Sequence, residues 1–208
     1  MPSHLFPRSN MMNTLSPAQV EKIIDFWFLP VNASCHGKPR PQWFSKDKEF
    51  DLLITEKFAH LVEQALNGTL SVANDSPSCA LAYILLLDQF TRNIYRDTPR
   101  AFAGDAKARS AAQMMVDTGM DQQLPPMQRC FVYLPFEHSE DIDLQKQSVA
   151  LFTRLQKETN AYLEELDYAV RHHDVIVQFQ RFPHRNAILG RASTAAELAF
   201  LALPGSGF

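Results

Sequence analysis

Four times in this chain a proline stands where a helix would begin: Ser16-Pro17, Ser76-Pro77, Thr98-Pro99 and Pro125-Pro126. Proline is well placed at a first helical position, because its missing amide hydrogen has no partner there and its φ is already helical. In the middle of a sheet it would remove a ladder hydrogen bond. The first start is followed by Gln19, which completes a capping box ahead of "VEKIIDFWFL", and Thr194 with Glu197 makes a second box ahead of "AAELAFLAL". Phe50, Leu53, Ile54, Phe58, Leu61, Val62 and Leu66 then recur at helical spacing up to Gly68. No stretch alternates as a hairpin would, so the chain is expected to be all-α, with about eight helices joined by short links.

The boundaries come from the same signals. Pro30 closes the first helix, and Gly37, Pro39 and Pro41 mark an ordered loop. Helices are expected through "SCALAYILLLDQFTRNIYR", from Thr98-Pro99 to near Gly119, and through "MQRCFVYL", where Pro135 should break the helix just before "FEHSED". Two more run through "LQKQSVALFTRLQKE" and "YLEELDYAVRHHDVIVQF". Residues 1–15 read as a flexible tail without a signal peptide's apolar core, and 16–208 as a single helical domain.

Composition narrows the function classes. The net charge of −3 over 208 residues gives no basic field for nucleic acid, which argues against that partner. The longest uncharged apolar run, nine residues from Cys79, is far short of the roughly 20 a membrane span needs. The three cysteines are widely spaced and form no CxxC pair, which suits a reducing cytoplasm better than a disulfide framework. There is no HExxH, GxSxG or phosphate-binding P-loop.

Three stretches can carry chemistry. In "LLLDQFTRNIYR", Asp88 interrupts the apolar stripe of Ile84, Leu87, Thr91 and Ile94 and is expected to be at least partly buried, with Arg92 as its i+4 partner. Arg92 and Arg96 repel one another on adjacent turns and need other partners. "LPFEHSEDID" carries Glu137, Glu140, Asp141 and Asp143 without a lysine or arginine, whereas residues 171–191 carry four arginines. The simplest use of two such segments is to bind each other, with Ser139 capping the next helix. In "RHHDVIVQFQRFPHRN" a helical wheel makes His173 better buried than His172, and Pro183 should end the helix near Arg181 and turn His184 and Arg185 away. Arg191 lies just ahead of the last helix's N-terminus, where free amides favour an anion.

The motifs "LDQFTRN", "AFAGDAKA", "RCFVYLPFEHSED", "RHHDVIVQFQRFPHRN" and "LGRASTAAE" resemble those of an uncharacterised family, DUF family nine-two-four, over about residues 18–203. The resemblance implies an all-helical, tetratricopeptide-like, right-handed array of antiparallel helix pairs and no established reaction. The family pattern falls on Asp88, Gln89, Arg92 and Asn93, on Glu137, His138, Glu140 and His172, and on Arg181, His184, Arg185, Asn186 and Arg191. Two departures stand out: Gln178 and Gln180 occupy positions where members usually carry arginine and glycine, and Val72 or Ala73 falls where a tryptophan is common.

The leading expectation is a polar cleft that binds an anionic small molecule or acidic peptide, lined by Asp88, Arg92, Arg96, His172, Arg181, His184, Arg185 and Arg191. Arginine's planar fork suits carboxylate and phosphate. The alternative is an enzyme, a metal-assisted hydrolase among the options, with Glu137 or Glu140 as general base and His138 or His184 as acid or metal ligand. The sequence names no cofactor and no metal-ligand set. A third option is an interaction scaffold, which would leave Phe102, Phe131 and Tyr133 partly exposed.

Overall fold

Ser16 Oγ accepts from Gln19 N while Gln19 Oε1 accepts from Ser16 N, and from this closed capping box α1 runs over Pro17–Phe28. The computed structural model describes residues 13–72 and 76–207. Residues 1–12 of the expected tail, and Ala73 at the expected tryptophan position, lie outside them. Asn13 and Thr14 pair in parallel with Leu70 and Ser71, and Leu15 is buried, so the tail's last residues are tied to the body. After α1, Arg40 donates to Phe26 O and Trp27 O at 2.8 Å, occupying carbonyls at that helix's end and pinning the loop.

The remaining helices are α2 (Lys48–Asn67), α3 (Pro77–Ile84), α4 (Thr91–Ile94), α5 (Asp105–Asp117), α6 (Pro126–Glu137), α7 (Ile142–Thr159), α8 (Leu163–Phe179) and α9 (Ala195–Leu201). A π-helical segment, Leu85–Phe90, joins α3 to α4 without a break. Counted as one, these three pieces leave eight helices among the described residues, and the fold is all-α. Asp47 caps α2, Gly68 ends it at φ 80°, and Ser76 Oγ accepts from Cys79 N at the start of α3. No described helix is long and apolar enough to cross a membrane.

Three expectations need correction. Thr98-Pro99 opens only a 3-10 turn, Pro99–Phe102, and the helix itself starts at Asp105. Pro135 does not break α6, which continues to Glu137. An interior proline costs about 3 kcal/mol, and here Phe131, Val132, Tyr133 and Phe136 are all buried by the helix that contains it. The cap of α7 is Asp141, which accepts from Asp143 N and Leu144 N, while Ser139 Oγ accepts from Asp141 N instead.

The core is aromatic. Trp27, Phe28, Trp43 and Phe131 pack with ring centroids 4.9–5.9 Å apart, and Phe58 and Phe90 lie 4.9 Å apart beside them. Of the three aromatics a scaffold would leave partly exposed, Phe131 and Tyr133 are fully covered and Phe102 is half-buried. A smaller cluster of Val175, Ile176 and Phe182 lies under the C-terminal segment. Between the two cores sits a group of charged residues.

Candidate functional site

The π segment sets this group up. An i to i+5 turn carries one more residue than an α turn and rotates the residues after it, and such segments recur at functional sites. All six of its residues are buried, and Asp88 is wholly inaccessible. The carboxylate is nonetheless well supplied: His138 Nδ1 lies 2.7 Å and Arg92 Nη1 3.3 Å from Oδ1, and Gln89 Nε2 donates to Oδ2 at 2.6 Å. Burial works against the charge, but Arg92 and His138 outweigh it and hold Asp88 well below the usual carboxylate range.

Asp105, at the start of α5, extends the group. Arg92 donates to Asp105 Oδ1 at 3.0 Å and Oδ2 at 3.2 Å, and Arg185 Nη1 stands 3.7 Å from Oδ2. Arg185 is 7% exposed, and its guanidinium lies against two rings, 4.7 Å from the centroid of Phe102 and 4.5 Å from that of Phe182. Its Nε is buried without a hydrogen-bond partner among the described residues. Asp105 at 3.7 Å is beyond hydrogen-bond range. Burial, reinforced by the Arg92 charge, draws the Arg185 guanidinium down to about 10.

The opposite wall comes from the end of α6 and from α8. Glu137 is buried, its Oε1 lies 3.2 Å from His172 Nδ1, and Oε2 has no hydrogen-bond partner among the described residues. Burial, with Asp88 and Glu165 nearby, pushes its carboxyl up to about 8 and favours the protonated form. His172 Nδ1 lies 2.8 Å from Tyr168 O, and burial takes its imidazole down to about 3. His184 is lowered to about 4, first by burial and then by Arg185. The wheel's preference for His173 is corrected: His172 is 5% exposed, whereas His173 keeps 26% of its side chain in solvent. The buried face of α8 runs through Ala169, His172, Val175 and Ile176.

Contacts close this group into a circuit. His138 meets Asp88, Asp88 meets Arg92, Arg92 meets Asp105, and Asp105 faces Arg185. Arg185 lies on Phe182, the Phe182 ring is 5.5 Å from that of His172, and His172 is 6.5 Å from His138. With Glu137 against His172, and the His184 ring 5.5 Å from that of Phe182, Asp88, Arg92, Glu137, His138, His172, His184 and Arg185 share one region.

The other sequence-derived arginines stand elsewhere. Arg96 binds Asp51 of α2 through two hydrogen bonds of 2.8 Å. Arg181 is bidentate to Glu197, whose carboxylate also closes the capping box of α9, so that helix start is already occupied. Arg191 is bidentate to Glu140 at 2.7 and 2.9 Å and donates to Asn186 Oδ1, while Glu140 accepts from Phe182 N. The acidic and basic segments do bind one another. Among the described residues no group of three His, Cys, Asp or Glu is arranged to hold a metal ion.

Sequence reasoning missed Asp105 and the two rings around Arg185. Asp105 lies in "AFAGDAKA", where the glycine ahead of it was the signal: a Cβ on Gly104 would stand 2.1 Å from Leu87 O, so the start of α5 is pressed onto the π segment.

Residues 23–205 match the model of a family described as a bacterial protein of unknown function, DUF924. Among solved structures, the protein of unknown function ATU0120 from Agrobacterium tumefaciens is 34% identical, with a TM-score of 0.74 over 89% of this chain and 97% of that one. No curated protein matches. With its helices, its motifs and nearly its whole length accounted for by one family model, the chain belongs to the DUF924 family.

Proposed function

We propose that the chain binds a small molecule through a carboxylate or phosphate group at Arg185, within a tetratricopeptide-like helical array. The single observation that carries this reading is the state of that guanidinium: 7% exposed, Nε without a hydrogen-bond partner among the described residues, and the Asp105 carboxylate no nearer than 3.7 Å. Burying a charge without hydrogen bonds costs roughly several kcal/mol. Two ring contacts return only about 0.5–2 kcal/mol each. A bound oxyanion would supply the missing bidentate acceptors. Arg181 and Arg191, by contrast, have both their forks filled by carboxylates of this chain.

A small molecule suits the site better than an acidic peptide, because so little of Arg185 reaches the surface. Cysteines that are all free accord with a cytoplasmic setting. The reading is tested by releasing and identifying, by mass spectrometry, the small anions carried by untagged wild-type protein and by an Arg185→Met variant. Methionine keeps the apolar stem between the rings. Asp105 keeps its bidentate partner Arg92, so no carboxylate is left unpaired and the loss of stability should stay below the roughly 3–5 kcal/mol of a broken buried pair. A carboxylate- or phosphate-bearing compound present in wild type and lost from the variant is expected. An equal load in both proteins, or none in either, would overturn it.

A further inference from the structure

A buried aspartate fixing one nitrogen of a histidine leaves the other nitrogen with a defined job. Asp88 is acceptor-only when ionised, so the 2.7 Å contact requires that His138 Nδ1 carry the hydrogen. In the neutral ring Nε2 then holds the lone pair. His138 keeps 15% of its side chain accessible, whereas Asp88 keeps none. The ring is thus held by a fixed carboxylate on one side and is the more accessible member of the pair. Arg92 and Arg185 together balance Asp88 and Asp105, so the buried carboxylate of Asp88 has its hydration replaced by these partners and by the His138 ring.

We propose that Asp88 and His138 form an acid–base pair, in which Asp88 holds the Nδ1–H tautomer and His138 Nε2 exchanges a proton with the anionic molecule bound at Arg185. The inference rests on the proposed anion site and adds a reaction class to it: proton transfer at an atom near the substrate's carboxylate or phosphate. One proton moves onto Nε2 from a substrate or water O–H or C–H, the electron pair staying on the atom that lost it. The same proton returns to the group that leaves or is formed. No oxidant or reductant takes part. Asp88 is the positioning residue, and the tautomer logic is that of any carboxylate–histidine base.

The surroundings set the direction of titration. Burial and then Arg92 lower the His138 imidazole from its ordinary value and favour the neutral ring, while Asp88 and Asp105 pull it toward the protonated form. Arg185 is a second positive charge of the same group, 3.7 Å from Asp105. An anion arriving against Arg185 cancels part of that positive charge and favours proton uptake on Nε2.

Calorimetric titration of wild-type protein at neutral pH with sulfate and, separately, with acetate tests this, each in two buffers of different ionisation enthalpy. The two anions stand for the phosphate and carboxylate chemistries. Uptake of a fraction of a proton per bound anion is expected. His138→Gln should bind about tenfold more weakly, as befits one lost charge-assisted hydrogen bond, and without proton uptake. Long-range nitrogen-15 spectra of the wild type supply a readout that needs no variant: His138 should show the neutral Nδ1–H tautomer. Failure of both anions to bind the wild type would remove the anion site and this pair with it. Binding without proton uptake, uptake that survives in His138→Gln, or an Nε2–H tautomer would overturn the pair and leave the anion site standing.

Discussion

Burial pushes the Glu137 carboxyl up to about 8, with Asp88 and then Glu165 adding to the effect by like charge, against an ordinary value of 4.5. The folded state therefore binds this proton more tightly than the unfolded chain does. The resulting stabilisation is complete below about pH 4.5 and is lost as pH rises through 8. His172 and His184 act in the opposite direction: both are held neutral, so their contribution is whole above 6.5 and is lost as pH falls toward about 3 and about 4. The melting temperature of Glu137→Gln relative to wild type should accordingly climb between pH 5 and 8, while the acid limb set by the two histidines is common to both proteins. Melting curves of the two proteins that run parallel from pH 5 to 8 would show that Glu137 is ionised in the fold. Of these residues Asp88 was legible, because a carboxylate set into the stripe of Ile84, Leu87 and Thr91 has nowhere to go but inward. The state of Glu137 was not, since it depends on Asp88 and Glu165, far along the chain and brought near only by folding.

Helix starts were legible because caps are local: Ser16, Ser76 and Thr194 each accept from the amide three residues on, as their spacing requires. The interiors of the elements were less so. Nothing in "LLLDQF" distinguishes an α turn from a π turn, because the choice is made by the chain packed against it. Gly104 is part of that packing. A Cβ there would sit 2.1 Å from Leu87 O and 2.9 Å from Leu87 C, both backbone atoms that cannot swing aside. Gly104→Ala should therefore cost at least the roughly 1–3 kcal/mol typical of overpacking, seen as a lower denaturation midpoint, and should weaken sulfate binding by moving Asp105 and the π segment apart. Full stability in that variant would mean that the two elements are not locked together. The α6 helix makes the complementary point: Pro135 is a local stop signal that tertiary burial of Phe131 and Phe136 overrides.

At the scale of the molecule, residues separated along the chain meet in one circuit: Asp88 from the π segment, Asp105 from α5, His138 after α6, His172 from α8 and Arg185 from the turn after it. The sequence could propose which residue types might gather, but not that Arg96, Arg181 and Arg191 would be taken by Asp51, Glu197 and Glu140 while Arg185 would be left without a hydrogen bond at Nε. That division of partners is a property of the assembled helices. On the proposed reading it separates arginines that hold the fold from the one that a ligand would contact. The direct test tracks the arginine Nε–H signals of nitrogen-15-labelled protein at neutral pH as sulfate, and then acetate, is added. The signal missing from Arg185→Met should shift and saturate with at least one of these anions, while those of Arg181 and Arg191 stay in place. An Arg185 signal that remains fixed at saturating excess of both would contradict the account.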